Sequence, residues 1–203
     1  RGCPYNCTFC YKGVYGSRLR MREPDDVVDE WQMLIERYGA REIAVIDDNF
    51  TMWPDRALEI CRLLVERGLH RIPWSTTNGI RVNKAYPDVL KAMKEAGCYR
   101  VYFGIESGVE RVLESLDKRI TLDEAREAIA NARAAGLEVG AYFMLGNVGE
   151  TVEDMQATID FALGLDLDLV QFTIATPYPG TAMYRQIEEG GRFLFESWED
   201  LAS

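Results

Sequence analysis

The feature that most limits the fold is an alternation of short β-rich runs with helical patterns, repeating roughly every 30 residues, which is the length of a βα unit. Pro24 sits where a first helical turn tolerates proline. Val27, Trp31, Leu34, Ile35 and Tyr38 then recur at helical spacing, and Gly39 closes the helix. A β-rich run over 42–46 stops at Asp47-Asp48-Asn49. The cycle returns with a helix from Pro54 to Gly68 and a strand over 72–77 that ends at Asn78-Gly79. It returns again with a helix around Val89, Leu90 and Met93 and a strand over 99–104, before Glu106-Ser107-Gly108. Thr121 and Glu124 form a capping box ahead of the next helix, which Gly136 stops before a strand over 138–145. Thr151 caps another helix, and a last strand over 168–175 leads to Thr176-Pro177-Tyr178-Pro179-Gly180, a short helix and a polar tail.

Such alternation predicts an α/β fold in which helices pack on a parallel sheet. A doubly wound sheet and a partial or complete (β/α) barrel both satisfy it. No Gly-x-Gly-x-x-Gly follows the first strand, which weakens a dinucleotide-binding reading. In either architecture the loops after the strands gather on one face. Asp47, Asp48, Asn49, Asn78, Glu106, Ser107, Asn147, Glu150, Thr176 and Tyr178 all fall in those loops, so the active site is expected there.

Composition adds exclusions. The 203 residues are 47% hydrophobic and 28% charged, ordinary for a globular protein. No apolar run approaches the roughly 20 residues of a membrane span. The net charge of −10 disfavours polyanion binding, so nucleic acid is not an expected partner.

Five cysteines are too few for a disulfide scaffold. Three of them, Cys3, Cys7 and Cys10, crowd the start of the chain. Three thiolates suit zinc or iron–sulfur. A closed zinc site needs a fourth ligand. The single histidine, His70, lies far along the chain in a loop, so zinc would have to borrow Cys61 or Cys98, both expected in the core. A 4Fe–4S cluster on three cysteines leaves one iron open to a substrate or cofactor. A redox thiol set is the remaining reading.

Cys3-x3-Cys7-x2-Cys10, with Phe9 just before the last cysteine, resembles the signature of radical S-adenosylmethionine (SAM) enzymes. The likeness runs from Arg1 to about Tyr184. Arg1-Gly2-Cys3-Pro4-Tyr5-Asn6-Cys7, Asp47-Asp48-Asn49-Phe50, Asn78-Gly79-Ile80-Arg81, Gly104-Ile105-Glu106-Ser107-Gly108, Gly146-Asn147-Val148-Gly149-Glu150-Thr151 and Tyr178-Pro179-Gly180-Thr181 are similar, in order, to the branch often fused to a cobalamin-binding domain.

The resemblance implies a partial (β/α)6 TIM-like barrel, here lacking the first strand. Residues 1–190 are then the core domain, and 191–203 a polar tail or the start of a following segment. Cys3, Cys7 and Cys10 would hold the cluster, and SAM would chelate its open iron. Reductive cleavage would give a 5′-deoxyadenosyl radical that abstracts a substrate hydrogen, with cobalamin-dependent methylation as one outcome and cobalamin bound by a domain outside this chain. Phe9 would lie against adenine or serve loop packing. Asp48, with Asp47, stands where the family usually has Gly-Gly-Glu, and either meets SAM or caps a loop. Glu106 and Ser107 would hydrogen-bond SAM or form a turn and helix start. Thr176 and Tyr178 would wall the adenine, Tyr178 alternatively reaching substrate. Arg81 would pair with a carboxylate or lie in solvent. Val148 replaces a family proline, so a looser loop is expected, with Glu150 serving the helix start.

The expected partners are a small-molecule or lipid-like substrate and a reductase, flavodoxin or ferredoxin as electron donor, in the cytoplasm. A methylthiotransferase acting on tRNA or protein and a non-catalytic iron–sulfur or zinc module are the alternatives.

Overall fold

A computed structural model describes residues 1–14 and 16–191. Among them lie helices α1 (Pro24–Tyr38), α2 (Pro54–Glu66), α3 (Pro87–Glu95), α4 (Glu110–Ser115), α5 (Leu122–Ala134), α6 (Val152–Leu163) and α7 (Ala182–Gly190). The strands are β1 (Ile43–Ala44), β2 (Trp74–Ile80), β3 (Cys98–Glu106), β4 (Glu138–Leu145) and β5 (Leu169–Ile174). The polar tail expected from 191 onward lies, from residue 192, outside the described residues.

The strands pair in chain order, every pair parallel, and the sheet curls into a half-barrel. This is the partial TIM-like barrel, with five strands among the described residues. Helices wrap one side in sequence, α1 against α2, α2 against α3 and α3 against α5. Strand β3 shows why this side is the core. Val101, Phe103 and Ile105 are wholly buried, while the alternate residues Arg100, Tyr102 and Gly104 are only half-buried. Period-two alternation thus separates a helix-packed face from the concave one. On that concave side Tyr102 stacks on Tyr142 at 5.1 Å between ring centres.

Most helix boundaries agree with the sequence signals. Gly39 caps α1 with a left-handed backbone, and Thr121–Glu124 closes its capping box on α5. Thr151 caps α6 together with Asp154.

The strand limits differ more. Strand β1 is shorter than the expected 42–46. Val45 N still donates to Ser75 O, but Ile46 has left the sheet toward the Asp47–Asn49 turn and is exposed. Strand β2 begins later than expected and runs through Asn78-Gly79, read in sequence as a terminator. Gly79 has φ +86°, and the step from Thr76 to Ile80 pairs with the shorter step from Val101 to Phe103. The turn-like dipeptide is a bulge that keeps the strand in the sheet. Strand β3 continues through a second bulge to Glu106, and the short helix α4 follows the Glu106-Ser107-Gly108 turn.

Candidate functional site

The thiol loop is tied down from several directions. Gly2 N donates to Asp48 Oδ2 at 2.7 Å, linking the loop to the turn after β1. Gly2 has φ +92°, and a Cβ there would sit 2.4 Å from Arg18 O, so only glycine fits this approach. Thr8 N donates to Leu116 O, and Met183 N donates to Thr8 O, each at 2.9 Å, pinning the loop between the end of α4 and the start of α7. Lys12 Nζ reaches back to Cys3 O at 2.6 Å and to Tyr5 O, fixing the turn on which the cysteines sit.

Cys3 and Cys7 are half-buried and Cys10 is exposed; all are free thiols. Partial desolvation raises the Cys10 pKa, Lys12 opposes this, and Cys7, Cys3 and Asp48 push it further up. Among the described residues no three His, Cys, Asp or Glu side chains converge on a point fit for a single metal ion. A cluster makes a different demand, because each thiolate ligates its own iron. Three thiols spread around one loop fit that donor set. Cys61 and Cys98 stay in the core at 2% and 1% exposure, and burial pushes both thiols up, Cys61 to about 12.

Two cations sit under the loop. Arg81 is 7% exposed. Its Nη1 lies 3.9 Å from Cys7 Sγ, and its guanidinium stacks 3.6 Å from the Tyr5 ring centre. Nε donates to Asn83 Oδ1, and Nη2 to the carbonyls of Lys118 and Arg119. Arg81 is thus buried, contrary to the expectation of a solvated side chain, and no carboxylate among the described residues pairs with it. Lys118 Nζ donates to Glu106 Oε1 at 2.7 Å and lies 5.6 Å from the centre of the Phe9 ring. Spacing gave no warning of this lysine. It stands in the charged run Asp117-Lys118-Arg119, which reads as a solvated loop.

The other expected residues divide into two groups. Glu106 lies beside the loop at the end of β3, 8% exposed, with φ +78°. A non-glycine residue in that region is strained, and the β3 bulge together with Lys118 holds it there. Phe9 packs on a small apolar cluster of Val112, Leu116 and Met183. Ser107 is fully buried, its hydroxyl 3.1 Å from Thr158 Oγ1 and accepting from Val109 N. That Thr158 hydroxyl also accepts from Gly108 N, so α6 anchors the turn after β3. Thr176 Oγ1 donates to Ile174 O, and Tyr178 is 57% exposed at the rim.

The loop after β4 is closed rather than loose. Glu150 Oε2 accepts from Asn147 N and Nδ2, while Asp154 does the capping at Thr151 that was expected of Glu150. Asn147 Oδ1, Glu150 Oε1 and Asn49 Nδ2 are buried without a partner. All three belong to loops that follow β1 or β4. Buried polar atoms left open at one rim are what a polar ligand with several donors and acceptors would satisfy. A cavity of about 670 Å³ also opens along β1, between Trp31, Phe50, Met52, Asp48 and Gly2.

Comparison with known proteins agrees with this geometry. The family model of the Radical SAM superfamily matches residues 1–162. An uncharacterized methyltransferase of Pyrococcus horikoshii is 42% identical over 98% of this chain and 43% of its own length. Cytidylyl-2-hydroxyethylphosphonate methyltransferase of Streptomyces wedmorensis is 39% identical over 92% of this chain and 36% of its own. The chain therefore spans about two-fifths of these relatives. Among solved structures, the radical SAM methyltransferase TsrM of Kitasatospora setae, with cobalamin and a [4Fe-4S] cluster bound, superposes with a TM-score of 0.82 at 23% identity, covering 93% of this chain and 38% of that one. At that identity the likeness is one of fold. Motif order, half-barrel, pinned thiol loop and family match agree: the chain belongs to the radical SAM superfamily.

Proposed function

We propose that this chain is the core of a radical SAM methyltransferase, with Cys3, Cys7 and Cys10 as ligands of a 4Fe–4S cluster. The observation that carries the reading is the thiol loop itself, pinned to Asp48, Leu116 and Met183 over a buried pair of cations. When bound, such a cluster supplies the electron that cleaves SAM to methionine and a 5′-deoxyadenosyl radical. The chain's own residues hold and screen the reactants. Glu106, fixed by Lys118, presents a carboxylate edge at the end of β3. Asn49, Asn147 and Glu150 offer open polar atoms to SAM. Phe9, Thr176 and Tyr178 furnish apolar and aromatic walls. Ser107 acts from beneath, through Thr158 and the turn they fix.

Methylation is favoured over methylthiolation by the names of the relatives at 42% and 39% identity, both methyltransferases. The cobalamin bound in the structural neighbour extends the reading to a cobalamin-dependent reaction. A small-molecule or lipid-like substrate, a flavodoxin- or ferredoxin-type electron donor and a cytoplasmic setting complete it. No helix among the described residues is long and apolar enough to cross a membrane.

The test is anaerobic reconstitution of the protein with iron and sulfide, followed by EPR of the reduced state with and without SAM. A reduced-cluster signal that changes on adding SAM, and SAM turnover that transfers methyl only when cobalamin is supplied, is the expected result. A protein that binds no iron, or a cluster indifferent to SAM, would overturn the proposal. Methyl transfer without cobalamin would remove the cobalamin part alone.

A further inference from the structure

Among the described residues Arg81 is a buried cation without a carboxylate partner. The residue is 7% exposed, and its acceptors among the described residues are neutral: Asn83 Oδ1, two backbone carbonyls and the Cys7 sulfur. Buried charges are ordinarily paired, because desolvation without an opposite charge costs several kcal/mol. The side chain is nonetheless held firmly. Tyr5 covers one face of the guanidinium, and the carbonyls of Lys118 and Arg119 fix its far nitrogen. That leaves Nη1 directed at Cys7 Sγ, 3.9 Å away. The other basic group beneath the loop, Lys118, is already neutralised by Glu106. Lys12, bonded to the carbonyls of Cys3 and Tyr5, is a further positive charge on the loop, but of these three cations it is Arg81 that sets a donor against a cysteine sulfur.

A guanidinium in this position matches a thiolate better than a thiol. Arg presents donors in a fixed plane and stays charged at any working pH. A hydrogen bond from a charged donor to an anionic acceptor is about twice as strong as a neutral one. Hydrogen bonds to ligand sulfurs, and nearby charge, set the reduction potential of an iron–sulfur cluster.

We propose that Arg81 is a positioning residue for the cluster. Its Nη1 is the charge-assisted donor to the Cys7 ligand sulfur, and its positive charge raises the potential at which the cluster accepts an electron. The inference rests on the proposed 4Fe–4S site. The sign follows from charge: reduction adds an electron beside a fixed cation, which stabilises the reduced state. Tyr5 and Asn83 act through Arg81, by holding the plane of its guanidinium.

The experiment compares wild-type protein, Arg81→Met and Arg81→Lys, each reconstituted anaerobically. Iron and sulfide per chain are measured first. A wild-type chain without iron defeats the cluster reading itself, before Arg81 is in question. With the cluster loaded, redox titration followed by EPR reads the midpoint. Arg81→Met should be about tenfold harder to reduce, a fall of about 59 mV for a one-electron couple. Arg81→Lys keeps the charge and should recover at least half of that shift.

A midpoint unchanged in Arg81→Met, or the same fall in both variants, overturns the proposal. So does a loss of SAM affinity in Arg81→Met without a change in midpoint, which would make Arg81 a ligand of the SAM carboxylate. Should Arg81→Met fail to fold, wild-type protein carrying ¹⁵N-guanidinium arginine replaces it. Pulsed EPR of its reduced cluster should show a weak ¹⁵N coupling that is absent from Arg81→Lys. No such coupling, or one retained in Arg81→Lys, overturns the proposal equally.

Discussion

Lys118 and Glu106 meet 2.7 Å apart at the end of β3, with 8% and 10% of their side-chain surface exposed. Glu106 is held there at φ +78°. Removing one partner of such a pair strands a charge, whereas removing both can be nearly neutral. Lys118→Met should therefore destabilise the protein by about 3 kcal/mol, the lower end for a broken buried pair. The double variant with Glu106→Gln should cost clearly less than the sum of the single changes. Urea unfolding of the four proteins in a double-mutant cycle checks this. Strict additivity would mean that the two side chains do not act as a unit.

The Asp48–Gly2 hydrogen bond connects the sheet to the thiol loop. It joins a backbone N–H to a carboxylate at 2.7 Å across a long stretch of chain. Groups that orient metal ligands from outside typically contribute tenfold or more to metal retention. Asp48→Ala should lose iron about tenfold faster than wild type under a chelator, with Asp48→Asn between them. Release of iron to a coloured chelator, timed under argon, measures it. Equal rates in wild type and Asp48→Ala would place Asp48's role elsewhere at the rim.

Acid stability has an identifiable contributor far from the site. Asp168 accepts from Val139 N at 2.7 Å and pairs with Arg133. The backbone hydrogen bond first, and Arg133 next, hold its carboxyl below the ordinary value of 3.8, against partial desolvation. A depressed carboxylate stabilises the fold above its unfolded pKa, and that stabilisation is lost as pH falls through the lower, folded value. The wild-type protein should thus lose urea resistance as pH drops below about 4. Asp168→Asn should start lower at neutral pH and show a shallower acid limb. Parallel limbs would assign the acid sensitivity to other carboxylates.

The helices were the more legible part of the fold. Pro24, Pro54, Gly39 and the Thr121–Glu124 box act within one or two turns, so local sequence carries them. Asn78-Gly79 was misread because a bulge and a turn ask for the same residues. Only the register against β3 separates them. The site divides in the same way. Cys3, Cys7 and Cys10 announce themselves by spacing. The burial of Arg81 and Lys118 arises from β2, β3 and the thiol loop meeting in space, and a linear run such as Asp117-Lys118-Arg119 looks like solvent-facing charge. Thr158 was missed for the same reason, since its partners Ser107 and Gly108 are distant in sequence.

The five free cysteines should separate into two chemical classes. Cys61 packs among core residues, and burial alone pushes its thiol to about 12. Cys98 is pushed up as well, by burial first, with Cys61 adding and the Arg100 backbone opposing. At neutral pH neither presents thiolate, the reactive form. Cys3, Cys7 and Cys10 lie on a loop with partial or full access to solvent. Brief anaerobic alkylation of iron-free protein should therefore label those three and spare Cys61 and Cys98 until urea opens the core. Protein reconstituted with iron and sulfide should resist labelling at all five positions, because ligation occupies the sulfur lone pairs that would attack. Peptide mass spectrometry of the alkylated chain distinguishes the states. If Cys61 or Cys98 reacted alongside the loop thiols in folded protein, the core would be opening far more often than its packing implies. If reconstitution protected only two of the loop cysteines, the ligand set would need revising.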